Sequence, residues 1–310
     1  MINTVQLNNQ IILMFSLILV GLLINKIGFF HQQTSDDLTS ILLYVVSPCL
    51  IINAFEEPYS PKRIQQFLLT LFGIILFYLV DIFIARIVFG KIKDTALSRV
   101  VQYGSVYSNA GFMGVPLASS LFGSQGVFFA AASLAAFNIF NWTHGVKPFQ
   151  PKQNQLDHKA ALQKVVLNPN IIAIVCGLLL FSLSIKIPFV INQAVKYVGS
   201  VNTPLSMIVI GNSLAGIKFS RKMLNSKILL ALVMKNLFFP VIAIMILEFL
   251  KISGIAFYTT VVMAACPVAG IVVLFTLQAR GNPRQAITLM SISTILSLAT
   301  IPLVFAISKI

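Results

Sequence analysis

Residues 108–120 read SNAGFMGVPLASS and lie in the middle of a long apolar segment. Within this stretch Gly111, Gly114 and Pro116 lie close together. A proline inside a helix removes one backbone donor, and its ring clashes with the preceding turn. The spacing therefore predicts that the helix containing this stretch is interrupted.

A second apolar segment carries the same kind of signal. Residues 264–273 read AACPVAGIVV, with Gly270 three residues after Pro267. Each segment is therefore expected to contain a short non-helical stretch whose backbone groups need partners outside the helix. The composition of the whole chain indicates whether water or lipid surrounds these stretches.

The composition predicts an integral membrane protein built from helices. Of the 310 residues, 57% are hydrophobic and 10% are charged, and the mean hydropathy is +0.91. Soluble domains carry about 25% charged residues. Long apolar runs without strict alternation disfavour a membrane β-barrel. The net charge of +14 lies mainly between the apolar runs, so it does not indicate nucleic-acid binding.

Ten apolar runs are long enough to be membrane-spanning helices, which need about 20 residues each. Gly123 and Ser124 predict a tight turn between the fourth and the fifth run. The predicted spans are Ile11–Phe30, Leu38–Phe55, Phe67–Phe89, Ser98–Phe122, Gly126–Trp142, Asn168–Ile185, Ile191–Gly216, Ile228–Leu250, Ile255–Gln278 and Gln285–Ile307.

The basic residues predict the orientation. Fifteen of the 22 Lys and Arg residues lie on one side of this ten-span arrangement, and six lie on the other. Basic loops stay in the cytoplasm, so both termini are expected outside it, in a multi-pass protein of the cell membrane. The longest polar stretch, 146–166, is predicted to be a cytoplasmic linker between residues 1–145 and 167–310.

The two parts of the chain show helix-breaking residues in the same order. Five spans in each part is an odd number, so the second part is expected to enter the membrane from the opposite side. This predicts two inverted five-helix repeats, a common architecture of secondary transporters. The matching residues are Gly21, Pro48 and Pro116 in the first part and Gly177, Pro204 and Pro267 in the second.

Two interrupted helices at matching positions predict a binding site near the middle of the membrane. Non-helical backbone at that depth is tolerated only where protein covers it or where it lines a wet cavity. The start of each half-helix presents free N–H groups and the positive end of a helix dipole, which favour an anion. A pair of structural kinks without a ligand is the alternative.

Ser108–Leu117, SNAGFMGVPL, resembles the helix 4 signature of the auxin efflux carrier family, which includes plant auxin exporters and bacterial malate permeases. Asn168–Leu179, Thr203–Ala215 and Cys266–Gln278 are similar to helices 6, 7 and 9 of that family. The resemblance covers nearly the whole chain. The long cytoplasmic loop of the plant exporters is missing, which favours the short microbial type.

The resemblance implies that broken helices 4 and 9 cross near the midplane, that substrate binds there, and that a transport domain moves against a scaffold domain. It also implies that Asn109 contacts the anion and that Pro116 and Pro267 are the prolines of the crossing. Many relatives carry an asparagine shortly after the second proline, where residues 268–270 of this chain read VAG. The resemblance therefore says less about substrate binding on the side of the second proline.

Polar side chains inside apolar spans are further candidates, because they are costly in hydrocarbon. Asp81 is expected to bind a coupling proton or sodium ion, or to pair with a basic group. Lys235 is expected to attract a substrate carboxylate, to anchor an interrupted segment, or to reach the membrane surface. Asn109 is expected to contact the anion or to cap a half-helix. Asn212 is expected to support coupling or to bridge two helices.

Together these features predict a secondary carrier of a small organic anion, such as malate or another mono- or dicarboxylate, working by alternating access. No Walker motif, hydrolytic set or metal-ligand spacing occurs, so neither an enzyme nor a cofactor is expected. A sodium-coupled or amino-acid carrier, a channel, and a non-transporting receptor or scaffold are the alternatives, and a homodimer stays open. The expected binding residues are Asn109, Gly111, Gly114, Pro116, Pro267, Gly270 and Lys235, with Asp81 and Asn212 in coupling or support.

Overall fold

The computed structural model describes residues 4–150, 158–215 and 225–308. These residues are almost entirely helical, and a single isolated antiparallel bridge is the only β structure among them. The helices are α1 (Thr4–Ile27), α2 (Gln32–Ile41), α3 (Ser47–Phe55), α4 (Pro61–Phe89), α5 (Thr95–Val106), α6 (Val115–Phe140), α7 (His158–Val166), α8 (Pro169–Ser182), α9 (Phe189–Ser200), α10 (Asn202–Ala215), α11 (Ser226–Val233), α12 (Phe239–Phe249), α13 (Gly254–Ala265), α14 (Ile271–Gln278) and α15 (Arg284–Ile307).

The helices have the length and polarity of membrane spans. Among the described residues, six helical stretches are long and apolar enough to cross a membrane, and the pair α7–α8, bent by 61°, would make a seventh. The remaining predicted spans contain shorter helices: α5, α9 with α10, and α13 with α14. The chain is therefore an all-α integral membrane protein, as its composition predicted. The count of ten spans and the inverted repeat stay predictions.

Of the four π-helical turns among the described residues, three end two residues before a proline. The residue between the turn and the proline donates its N–H to the carbonyl five residues earlier. A proline has no N–H, and its ring crowds the carbonyl four residues before it, so a wider turn leaves room for the ring. The turns are Leu42–Val46, Ala110–Gly114 and Met234–Phe238, and the prolines are Pro48, Pro116 and Pro240.

The structure divides one predicted span and contains one predicted turn. The seventh, predicted as one helix over Ile191–Gly216, is wrong in that respect, because α9 and α10 are separated at Val201; residue 216 lies outside the described part of the chain. Pro204 lies in the first turn of α10, where a missing N–H is tolerated. The turn predicted at Gly123 and Ser124 is confirmed, because Gly123 adopts φ 61° and ψ −148° inside α6.

The predicted linker, 146–166, is partly helical. A short 3-10 turn covers Lys147–Phe149, and α7 occupies the end of the linker. Residues 151–157 of this linker lie outside the described residues. The Lys164 ammonium on α7 lies 4.8 Å from the centroid of the Trp142 ring, so α7 packs back against the end of the first half of the chain.

The helices divide into two packing sets. In the first set, α1 packs mainly on α10, and α3 packs mainly on α8 and α9. In the second set, α4, α5, α6 and α11 to α15 pack mainly against one another, while α6 and α15 also touch the first set. The two interrupted helices both belong to the second set.

α1 and α10 approach each other backbone to backbone. A Cβ atom at Gly211 would lie 2.0 Å from the carbonyl oxygen of Ile18, and Gly21 makes the matching approach from α1. Small residues let helices pack this closely in membrane proteins. Beside this contact the Asn25 amide donates to Asn212 Oδ1 at 2.6 Å, so Asn212 bridges two helices, as one of its two predicted roles stated.

Replacing Gly211 with alanine is expected to destabilise the protein, because the new Cβ would overlap the Ile18 carbonyl and force two helices apart. Overpacking of this kind costs about 1–3 kcal/mol, which would appear as a lower melting temperature of the detergent-purified protein. Ser213→Ala, on the same helix with an exposed side chain, should melt like the wild type. An unchanged melting temperature for Gly211→Ala would contradict the close approach.

Candidate functional site

The chain leaves helical geometry at Tyr107–Asn109, just after α5, and again at Cys266–Gly270, between α13 and α14. We call these two segments the crossing. They run antiparallel and are joined by a bridge between Ser108 and Val268. Two backbone hydrogen bonds hold this bridge, with N···O distances of 2.7 and 2.9 Å. The donors are the N–H groups of Asn109 and Ala269, and their acceptors are the carbonyls of Pro267 and Tyr107, respectively.

Pro267 accounts for the second interruption. It has no N–H, and in a continuous helix its ring would crowd the carbonyl four residues before it. The Val268 N–H would bond to the Ala264 carbonyl in such a helix. Instead it donates to Ser293 Oγ on α15, at 3.0 Å. A side chain of another helix has thus replaced a backbone acceptor.

Pro116 does not lie at the interruption of its own helix. The sequence predicted a break around it, but the break lies earlier, at Tyr107–Asn109, and Pro116 occupies the first turn of α6 behind its π-turn. Asn109 Oδ1 accepts the N–H of Phe112 at 3.3 Å and caps the new helix. Because asparagine offers the backbone this alternative to a helical bond, the first break follows from Asn109.

Lys235 is fully buried and reaches the crossing from the π-turn Met234–Phe238. Its Nζ donates to Ser108 Oγ, and also to the Ala264 carbonyl at 3.1 Å. That carbonyl is the one that lost the Val268 N–H. It also accepts from Ser108 Oγ at 3.2 Å, so the ammonium and this hydroxyl together replace the missing helical bond. The prediction that Lys235 reaches the membrane surface is wrong, and its contacts are those of an anchor for an interrupted segment.

The next residue, Asn236, supports the second segment of the crossing. Ser293 Oγ, which accepts the Val268 N–H, donates onward to Asn236 Oδ1 at 3.0 Å. Two consecutive residues of one π-turn, Lys235 and Asn236, therefore hold both segments. The sequence analysis missed Asn236 and Ser293. Asn236 carries a signal, an amide beside a lysine in an apolar span, whereas Ser293 is one of several hydroxyl residues on α15 and carries none.

Asp81 on α4 is fully buried, and neither of its carboxylate oxygens has a hydrogen-bond partner among the described residues. It lies close enough to Lys235 for the two charges to attract each other, without a direct ion pair between them. Opposite charges lower the cost of burying each other. The two intramembrane charges that the sequence singled out thus belong to one region of the structure.

Four helix ends meet at the crossing. α5 and α13 end there, close to Lys235, and a cation is favoured at such carbonyl ends. α14 begins there, as does the helix that starts at Ala110. The backbone N–H groups of Gly111, Gly270 and Ile271 have no hydrogen-bond partner in the described part of the chain. The crossing therefore offers donor groups at the positive ends of two helices.

The glycines of the crossing fall into two kinds. A Cβ atom at Gly111 would meet one carbon atom at 3.9 Å, an ordinary contact, so Gly111 leaves space beside its N–H group. A Cβ atom at Gly270 would lie 3.3 Å from Met290 Sδ, so that position is tighter. A Cβ atom at Gly114 would lie 2.6 Å from Met263 Sδ, so Gly114 permits close packing against α13. Asn109, like Gly111 and Gly270, is half-buried.

Comparison with known proteins identifies the kind of protein that carries this crossing. Residues 7–305 match the sequence pattern of the family described as membrane transport protein. The chain belongs to this family, the auxin efflux carrier family. An uncharacterized transporter of Methanocaldococcus jannaschii is 23% identical over 272 residues, which cover 84% of this chain and 85% of the relative. The resemblance noted at Ser108–Leu117 is confirmed, and the protein is a membrane transporter.

Replacing Lys235 with methionine keeps most of the side-chain volume but removes the ammonium. The Ala264 carbonyl then loses a donor, and Asp81 loses its neighbouring positive charge. We expect a loss of about 3–5 kcal/mol in the free energy of unfolding, measured as a lower melting temperature in detergent. Asp81→Asn combined with Lys235→Met should recover part of this loss, because the uncompensated carboxylate is gone.

Lys227→Met is the matched control for this variant. Lys227 is exposed at the start of α11, so its replacement should leave the melting temperature close to that of the wild type. If Lys235→Met melted with the control, the ammonium would not be what holds the crossing together.

Proposed function

We propose that this transporter carries a small organic anion, a mono- or dicarboxylate such as malate, and binds it at the crossing. The observation that carries the proposal is the group of N–H donors at Gly111, Gly270 and Ile271 that have no partner among the described residues, with space beside Gly111. Helix starts bind carboxylates through such N–H groups and through the positive end of the dipole. Lys235, bonded to the crossing, adds a fixed positive charge.

Asn109 supplies a side-chain donor for the same anion in this proposal. Its Oδ1 is used in capping the Phe112 N–H. Its Nδ2 has no hydrogen-bond partner among the residues that the structure describes, so the amide can donate to a carboxylate. Residues 268–270, on the other segment, offer backbone donors only, so the amide contact comes from one side of the crossing.

The two packing sets support alternating access as the mechanism. We propose the set containing α1, α3 and α8 to α10 as the scaffold, and the set containing α4 to α6 and α11 to α15 as the moving part. Both segments of the crossing, as well as Lys235 and Ser293, belong to the moving part. A rigid-body movement of that set would carry the bound anion without breaking the crossing.

We propose Asp81 as the site of a coupling proton. Its two oxygens are unpaired in a fully buried position, where a neutral carboxyl group is much less costly than a carboxylate. Uptake of a proton would leave the positive charge of Lys235 uncompensated and would thereby strengthen the attraction for an anion. Proton and anion would then travel together.

We place the protein in the cell membrane with its basic loops in the cytoplasm. The excess of Lys and Arg on that side supports the orientation, because basic loops are retained in the cytoplasm. With ten spans, both termini lie outside the cytoplasm.

Asn109→Asp tests the anion site while keeping the cap, because an aspartate oxygen can still accept the Phe112 N–H. The change removes the amide donor and adds a negative charge. A lost hydrogen bond to a charged group costs about 1.5–3 kcal/mol, so we expect a 10- to 100-fold lower kcat/KM. The measurement is counterflow of labelled carboxylates, malate among them, in proteoliposomes.

Asn225→Asp is the matched control, since Asn225 caps α11 through the Ile228 N–H at 2.9 Å, outside the crossing. It should transport like the wild type. Wild-type kinetics in Asn109→Asp would remove Asn109 from the site. Conductance without counterflow in the wild-type protein would indicate a channel and would overturn the carrier proposal.

Asp81→Asn tests coupling, because the asparagine side chain is permanently neutral and has nearly the same shape. We expect counterflow to be retained and uphill uptake driven by an acid-outside gradient to be lost. Both are measured in the same proteoliposomes, with Asp94→Asn, which alters an exposed helix cap of α5, as the control. Gradient-driven uptake that survives in Asp81→Asn contradicts the assignment. Stimulation of the wild type by sodium alone would replace the proton with sodium.

A further inference from the structure

A second polar site lies apart from the crossing, where α3 ends and α9 begins. A cavity of about 400 Å³ opens there between the α3–α4 loop, α9 and the turn after Gly123. This volume is within the range of small-molecule sites, about 300–1,000 Å³. The lining residues are Asn53, Glu56, Glu57, Ser124, Asn192, Gln193 and Lys196.

The charges of this cavity are not all neutralised by the protein. Glu57 is occupied, because Arg63 Nη1 donates to its Oε2 at 3.2 Å and Ser124 Oγ donates to its Oε1 at 3.0 Å. The side chains of Glu56 and Lys196 have neither an ion pair nor a hydrogen bond with any described residue. The cavity therefore presents one free carboxylate and one free ammonium.

Three carboxamides complete the lining without adding charge. Asn53 Nδ2 approaches Asn192 Oδ1 at 3.4 Å, which is a long and weak contact. The Gln193 side chain has no hydrogen-bond partner among the described residues. A carboxamide donates and accepts, so these groups can bond to either a carboxylate or an ammonium of a ligand.

We propose that this cavity binds a free α-amino acid, with its ammonium against Glu56 and its carboxylate against Lys196. A simple carboxylate would satisfy Lys196 but would face Glu56 with a like charge, and a simple amine would face Lys196 in the same way. Only a molecule that carries both charges satisfies both side chains. The cavity shares no residue with the crossing, so this inference goes beyond the proposed function and does not depend on the transported anion.

An amino acid bound here would act on transport through the packing sets. It would touch α3 and α9 of the first set and the turn at Ser124, which belongs to the second. A ligand that binds one arrangement of two moving parts better than another stabilises that arrangement. Bound amino acid is therefore expected to slow carboxylate counterflow from the side on which the cavity opens.

The test uses the full chain in lipid nanodiscs and measures binding of each of the twenty free L-amino acids by calorimetry. At least one is expected to bind. The N-acetyl derivative of that amino acid, which lacks the ammonium, and its carboxamide, which lacks the carboxylate, are each expected to bind at least tenfold more weakly. Failure of all twenty to bind, or equal binding of either derivative, overturns the proposal.

Substitutions of the cavity side chains test whether the amino acid binds there. Glu56→Gln and Lys196→Gln should each weaken it at least tenfold, whereas Glu248→Gln and Lys186→Gln, at exposed positions that do not line the cavity, should not. Binding that is indifferent to the first two variants places the ligand elsewhere and also overturns the proposal. Asn109→Asp should lower kcat/KM for transport and keep amino-acid binding, so the two proposals fail independently.

Discussion

A backbone N–H or carbonyl inside a membrane has no water to bond to, so each must find its partner within the protein. The two interrupted helices meet most of this requirement at the crossing. Their extended segments bond to each other, and side chains from other helices take two of the groups that remain. The Ala264 carbonyl accepts from the Lys235 ammonium, and the Val268 N–H donates to the Ser293 hydroxyl. The candidate site depends on these side-chain partners, because without them both helices would have to become continuous.

The Lys235 side chain, which replaces a helical hydrogen bond at the crossing, also sets the electrostatics of the region. An ammonium buried in a membrane protein requires negative charge nearby, and Lys235 has two sources of it: the carbonyl ends of α5 and α13, and the carboxylate of Asp81. Since the ammonium bonds to the carbonyl end of α13, the N–H groups of Gly111 and Gly270, at helix starts, stay without a partner among the described residues. Few charges are needed to prefer an anion when helix ends are arranged in this way.

The prolines show why local sequence is an incomplete guide to such a site. Pro116 and Pro267 look alike in sequence, each beside glycine in an apolar run. A π-turn before Pro116 makes room for its ring, so Pro116 lies inside a helix, whereas Pro267 lies in an extended segment. The difference arises from the surroundings: Ser293 and the facing segment supply partners for the backbone around Pro267, and Asn109 moves the first break away from Pro116.

Hydropathy, backbone preferences and the cost of polar groups in hydrocarbon were enough to predict the all-α membrane fold, the turn at Gly123 and the interruption of two helices. They also predicted, among other roles, that Asn109 caps a half-helix and that Lys235 anchors an interrupted segment. The position of the first break, the partners of Lys235 and the part played by Ser293 became visible only from the packing of the helices. Ser108 and Lys235 are 127 residues apart. Contacts over such separations depend on how whole helices pack, and no local pattern of residues encodes them.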